Sequence, residues 1–244
     1  MDHSSLIILN QIGKGVYSKV FIGKLGDESY AVKSFKTDKK YLKSTKREML
    51  VNEMMMEDKE RPINIVKSFG SYFNKTYHLV FELIDINLLN FLKFYKEDMN
   101  EKLIIDIGTQ ITTGLEFIHK NFIHCDLKPE NIMVDTETLT FKIIDFGLSF
   151  FITEAEKHFH IQSSYYRAPE IVFRVSINPV IDVWSLGCII YEMFSSVVLF
   201  KAIKNEELAF MFSEQFSNIP SIYGSYSKYL SYFGTSSPLF EHVL

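Results

Sequence analysis

The chain has 244 residues, 47% hydrophobic and 23% charged, with 22 Phe and 13 Tyr, which excludes a disordered segment and supplies ample material for a packed core. Its net charge of −4 argues against a general nucleic-acid binder. The two cysteines, Cys125 and Cys188, form neither a disulfide framework nor a zinc pattern; an intracellular, reducing setting is expected, the cytoplasm by default and the nucleus as the alternative.

The N-terminal "MDHSSLIILN" lacks a basic run before its apolar one, so no signal peptide is expected. Residues 18–25 (SKVFIGKL) and 29–35 (SYAVKSF) are short and rich in β-formers, with a turn between them, and predict a hairpin. Residues 39–57 are charged with an apolar subset and predict a helix, and residues 64–73 and 76–83 predict two more strands. The expected N-terminal lobe is therefore a five-stranded, mostly antiparallel sheet with one helix. After residues 82–86 the pattern turns helical. Leu103, Ile107, Ile111, Leu115 and Ile118 recur at spacings of three and four, and residues 180–195 predict a further helix. Residues 183–200 are long enough to span a membrane, but Glu192 and three serines favour a buried helix, so no membrane partner is expected. The fold class is α+β and bilobal in a single domain, with lobes of about 1–83 and 84–244. A cleft between two lobes is a common place for a small-molecule site.

Residues 12–20 (IGKGVYSKV) place Gly13 and Gly15 between two strands, where a backbone can approach a phosphate closely. Alone, such a loop is equally a plain turn. "YAVK" follows, and strand alternation puts Ala31 and Lys33 on one face, suited to an adenine ring and its phosphates. "IHCDLKPEN", residues 123–131, packs a histidine, a thiol, a carboxylate, an ammonium and an amide around a proline, a density of polar groups that no buried helix or strand tolerates. Asp145 follows a short apolar strand and precedes Phe146 and Gly147. Two aspartates, an asparagine and a lysine are the parts that phosphoryl transfer requires: oxygen ligands for Mg²⁺, a cation near the moving phosphate, and a group to orient the nucleophile.

With "GKGVYS", "YAVK", "HCDLKPEN", "DFG", "RAPE" and "DVWSLG" in this order, the chain resembles a protein kinase over nearly its whole length. The resemblance implies ATP and Mg²⁺ as cofactors and a protein as substrate. Asp126 would take or orient the hydroxyl proton and Lys128 would meet the γ-phosphate; Asn131 and Asp145 would hold the metal. Ile12, Gly13, Lys14, Gly15, Val16, Tyr17, Ser18, Lys19 and Val20 would cover the phosphates, and Ala31 and Lys33 would meet the nucleotide from the strand. Lys33 would pair with a helix glutamate, Glu48 or Glu53, with Glu48 preferred from the run "REMLVNEMM". Glu82 and Leu83 would form the adenine-facing hinge, with Phe81 behind it and Met133 below.

"HCDLKPEN" and "IQSSYYRAPEI" resemble the dual-specificity tyrosine-regulated and homeodomain-interacting (DYRK/HIPK) kinases, which implies Ser/Thr phosphorylation. Cys125 stands where many kinases carry an arginine that grips an activation-segment phosphate. His160 and Ser164 stand where the resembled kinases have a tyrosine and an arginine; Arg167 is kept. The resemblance implies that neither phosphothreonine at the missing arginine nor tyrosine autophosphorylation at position 160 controls this loop. Ser18 replaces a third loop glycine. Asn52 falls where an apolar residue is expected, at a cost of ~1–3 kcal/mol if buried unpaired. The stretch after Asp182 is short beside the resembled kinases, so the resemblance leads one to expect a truncated second lobe without their last helices and without the arginine that pairs with Glu170. An ATP-binding scaffold with weak or no transfer activity is the alternative reading.

Overall fold

The computed structural model describes residues 5–157, 161–175 and 177–215. The N-terminal lobe is one antiparallel sheet of β1 (Ile7–Lys14), β2 (Ser18–Leu25), β3 (Glu28–Phe35), β4 (Ser68–Asn74) and β5 (Thr76–Glu82) in the order β1-β2-β3-β5-β4. Pairing of β2 with β3 runs unbroken from Ser18↔Phe35 to Leu25↔Glu28. The expected strand at 64–73 is shorter at its start, because Asn64 and Ile65 are used elsewhere. The Asn64 carbonyl accepts from Ile143 N, and Ile65 bridges to Ile143 in the second lobe. Helix α1 (Leu42–Glu57) buries Thr45, Glu48, Val51, Asn52 and Met55, a stripe at helical spacing that includes three polar residues and brings Glu48 to the cleft.

The second lobe is built on α2 (Leu88–Phe94), α3 (Glu101–Ile118), α4 (Pro169–Val172), α5 (Val180–Ser195) and α6 (Asn205–Gln215). Two small sheets carry the chemistry: β6 (Ile86–Asn87) with β8 (Ile132–Asp135) and β9 (Thr140–Ile143), and β7 (Phe122–Ile123) with β10 (Phe150–Phe151). Asn100 caps α3 by accepting from Leu103 N at 3.0 Å. Ile107, Ile111, Leu115 and Ile118 are buried as expected, but the first residue of the stripe is Ile104, with Leu103 only half-buried. Gly114 lets β9 approach: a Cβ there would stand 2.9 Å from Ile143 Cδ1 and 3.2 Å from the Asn64 carbonyl oxygen.

Helix α5 matches its expected bounds, and Asp182 and Ser185 on it are fully buried. It ends at Ser196 in the left-handed region, and no described helix is long and apolar enough to cross a membrane. Residues of both lobes share one core, from Val51 and Met55 on α1 through Ile111 on α3 to Ile189 on α5.

Ile111→Ala should lower the unfolding free energy by about 2–5 kcal/mol, because it empties a fully buried site. Ile105→Ala, on the exposed side of the same helix, should change it by no more than about 0.5 kcal/mol. Denaturant titration of both variants checks this.

Candidate active site

Asp182 sets the site's backbone. Its carboxylate is fully buried, and it accepts from Cys125 N at 2.9 Å, His124 N at 2.8 Å and His119 Nε2 at 2.9 Å. Those bonds hold Cys125 at φ 68°, a conformation a non-glycine residue keeps only when its surroundings impose it. The Cys125 side chain is fully buried in a small cluster with Ile123, Phe150, Ile161 and Ile181. Burial first, then the Asp182 and Asp126 charges, raises its thiol well above the ordinary range, so it is a packing group and no nucleophile. His124 accepts from Asp126 N at Nδ1 and bonds the Ile144 carbonyl through Nε2, which fixes its tautomer with the proton on Nε2.

Beyond this anchor the polar side chains converge. Asp126 Oδ2 accepts from Lys128 Nζ at 2.7 Å and Asn131 Nδ2 at 3.1 Å; Oδ1 accepts from Ser163 Oγ at 2.7 Å. Lys128 Nζ also donates to Ser163 Oγ at 2.9 Å. Ser163 therefore closes a ring with Asp126 and Lys128. The sequence reading passed over it for its neighbour Ser164; the available signal was a small hydroxyl residue just ahead of "YYRAPE".

Lys33 is 6% exposed, and its Nζ lies 2.5 Å from Glu48 Oε1 and 2.8 Å from Asp145 Oδ1. This decides the helix partner as Glu48, with Glu53 exposed on the far side of α1. Burial alone would favour a neutral amine, but the two carboxylates hold the Lys33 ammonium well above its usual range. Asp145 keeps part of its side chain open to the cleft; the desolvation it does undergo is overcome by Lys33, which faces it and holds its carboxyl below the usual range. Glu48 goes the other way, up to about 7: complete burial outweighs its share of an ammonium that Asp145 also claims.

A cleft of about 490 Å³ opens onto these groups. Ile12, Gly13, Lys14, Gly15, Ser18 and Val20 line it from above, and Ala31, Phe81, Glu82 and Leu83 line its back and hinge side. Met133 and Ile144 lie below, and Lys33, Glu48, Asn131 and Asp145 close the inner end. Val16, Tyr17 and Lys19 belong to the same loop but are not among the lining residues. Ser18 is buried and keeps an ordinary strand conformation, so the missing third glycine strains nothing. Glu82 ties the hinge to both sides, accepting from Lys67 N and from Lys142 Nζ, each at 2.7 Å.

A protein kinase domain model matches residues 6–238. The chain belongs to the protein kinase family. This kinase domain is 37% identical over 202 residues to a probable serine/threonine-protein kinase dyrk2 of Dictyostelium discoideum, covering 79% of the chain and 22% of that protein. It is 33% identical over 237 residues to a probable dual specificity kinase madd-3 of Caenorhabditis elegans, covering 87% and 26%. Over 242 residues it is 32% identical to a probable dual specificity YAK1 homologue of Encephalitozoon cuniculi, covering 96% and 57%. It thus spans between about a fifth and somewhat over half of these curated relatives.

The departures now have surroundings. Arg167 donates to the carbonyls of Ile161 and Gln162 and to Asn205 Oδ1 at 2.6 Å. Gln162 bonds Ile181 O and Ser185 Oγ on α5 and accepts from Ala168 N. His160 lies outside the described residues. Asn52 is half satisfied: Nδ2 donates to the Glu48 carbonyl at 2.8 Å, and its buried Oδ1 has no partner among the described residues. Glu170 Oε2 is likewise buried without one.

The Glu48 shift carries a sign. The unfolded chain loses this proton near pH 4.5 and the folded one near 7, so between those values folding holds the extra proton and stability falls as pH rises. Glu48→Gln removes that component. The melting temperature of the native domain minus that of Glu48→Gln should therefore decrease from pH 5 to pH 7.5, as read by scanning calorimetry; a rising difference contradicts the assignment.

Proposed function

We propose that this kinase domain transfers the γ-phosphate of ATP to Ser or Thr hydroxyls of proteins. The observation that carries the reading is Lys33, buried and held at once by Glu48 from α1 and Asp145 from the second lobe. That arrangement presents a fixed cation at the inner end of a nucleotide-sized cleft.

The metal donors fit Mg²⁺. Asn131 spends its amide nitrogen on Asp126, and Asp145 spends Oδ1 on Lys33 and Gly147 N. Asn131 Oδ1 and Asp145 Oδ2 keep no hydrogen-bonded protein partner among the described residues, and both are hard oxygen donors. No group of three or more His, Cys, Asp and Glu side chains gathers for a metal among the described residues. Such a two-donor site suits an ion that arrives with phosphate oxygens. When bound, Mg²⁺ would offset charge on the β- and γ-phosphates.

The chain's own residues do the remainder. Lys33 would hold the α- and β-phosphates, and the backbone around Gly13 and Gly15 would cover them. Asp126 would orient the incoming hydroxyl and accept its proton, its carboxylate held in place by Lys128 on one oxygen and Ser163 on the other. Lys128 would neutralise charge on the moving phosphate. The scaffold alternative draws on the buried Asn52 and Glu170 oxygens, which have no partner among the described residues.

Radiolabelled ATP with a generic basic protein separates the two readings. Native protein should label it, and Asp126→Asn should cut the rate about 10²–10⁴-fold. Equal near-zero signal from both supports the scaffold. We also propose that the activation segment needs no phosphotyrosine. Tyr166 is buried with its hydroxyl on Glu192 at 2.7 Å, and Arg167 is engaged by two carbonyls and Asn205. Phosphosite mapping of active recombinant protein should find no stoichiometric phosphotyrosine in residues 148–166.

A further inference from the structure

Glu48 is a fully buried carboxylate, and such a group needs a donor for each oxygen. Lys33 serves Oε1. The only donor to Oε2 among the described residues is the Tyr17 hydroxyl, in a long bond of 3.3 Å. Tyr17 comes from the glycine loop, three residues from Lys14 on the cleft wall, yet its ring leaves the cleft. It stacks on Phe35 with centroids 6.3 Å apart and planes 6° apart, and Lys33 Nζ stands 5.5 Å from its centroid. Lys36 N donates to the Tyr17 carbonyl at 2.8 Å and fixes the backbone beneath.

The hydroxyl also meets Gly147, directly after Phe146. A Cβ built on Gly147 would stand 1.4 Å from the Tyr17 hydroxyl oxygen and 2.7 Å from its Cζ, a clash far more severe than its 3.1 Å approach to Asp145 Oδ1. Gly147 is not at positive φ, so its own backbone does not require glycine. What excludes a side chain there is Tyr17.

We propose that Tyr17 is a positioning latch: its hydroxyl occupies the notch left by Gly147 and holds the second oxygen of Glu48, so that the glycine loop, α1 and the Asp145 segment move as one unit. The catalytic consequence rests on the function proposed above, while the latch itself does not. In the open loop Glu48 loses a donor, and the Lys33–Glu48 pair loosens. In the closed loop all three elements are registered by one phenol. The ring and the hydroxyl have separable duties: the ring packs on Phe35, and the hydroxyl does the registering.

A double-mutant cycle tests this with Gly147→Ala placed in the native and the Tyr17→Leu backgrounds, read by melting temperature and by ADP affinity. In the native background Gly147→Ala should weaken ADP about tenfold or more and lower the melting point; beside Tyr17→Leu it should cost less than about threefold. The same cost in both backgrounds overturns the latch. If native Gly147→Ala fails to fold, recovery of a cooperative melt in the double variant supports the proposal and its absence overturns it. Tyr17→Phe, which keeps the ring but leaves Glu48 Oε2 without its donor, should lower kcat about tenfold together with a modest fall in melting point; a fall in melting point with unchanged kcat reduces Tyr17 to a packing residue. Neither ADP affinity nor melting depends on phosphoryl transfer, so an inactive domain would refute the proposed function and leave the latch standing or falling on the cycle.

Discussion

One ammonium group carries much of the organisation of this molecule. Lys33 comes from a central strand, Glu48 from α1 beside it and Asp145 from the other lobe; Lys33 and Glu48 meet where water is nearly absent, while Asp145 keeps part of its side chain open to the cleft. A lysine this buried is tolerable only with compensating charge. Its demand for that charge fixes α1 against the sheet and draws the Asp145 segment up to both. The neighbouring polar choices follow. Glu48 is left with an oxygen to satisfy, and Tyr17 supplies the donor. Asn52, one turn later, turns its amide back onto the Glu48 carbonyl.

A second buried charge does comparable work on the other side of the cleft. Asp182 takes three donors, two of them backbone N–H groups of the loop that carries Asp126. The left-handed residue Cys125 would relax if that carboxylate were lost, and the loop would lose the curvature that brings Asp126, Lys128 and Asn131 together. Strain here is a local cost that keeps three side chains in register before any ligand arrives. Asp182 lies beneath the reacting groups and lines no part of the cleft, whereas Lys33 both organises its surroundings and faces the cleft.

Much of this was legible from the amino acids, for identifiable reasons. Strands β2 and β3 and helix α5 had clear composition and clear ends, and their expected bounds held to within a residue. The polar run at 123–131 read as no buried helix or strand, and its resemblance to the protein kinase motif singled out Asp126, Lys128 and Asn131, which the structure does gather. Short strands such as β6 and β7, two residues each, were not visible, because pairs of residues carry no periodicity. Ile104 displaced Leu103 because spacings of three and four leave the start of a stripe undetermined. Ser163 and the inward turn of Tyr17 were missed for a deeper reason. Each acts through partners more than 30 positions away, and a serine or tyrosine in a loop looks alike whether or not it is bonded.

The placement of the two thiols bears on how the domain meets reactive chemistry. Cys125 is sealed beneath the catalytic loop, and Cys188 on α5 is pushed up to about 12, first by burial and then by the Glu192 charge. Neither offers thiolate to an electrophile or an oxidant while the fold is closed. Alkylating reagents would thus find their targets only in molecules that have opened. The pace of alkylation becomes a clock for opening, and Cys125 times the release of the loop that holds Asp126.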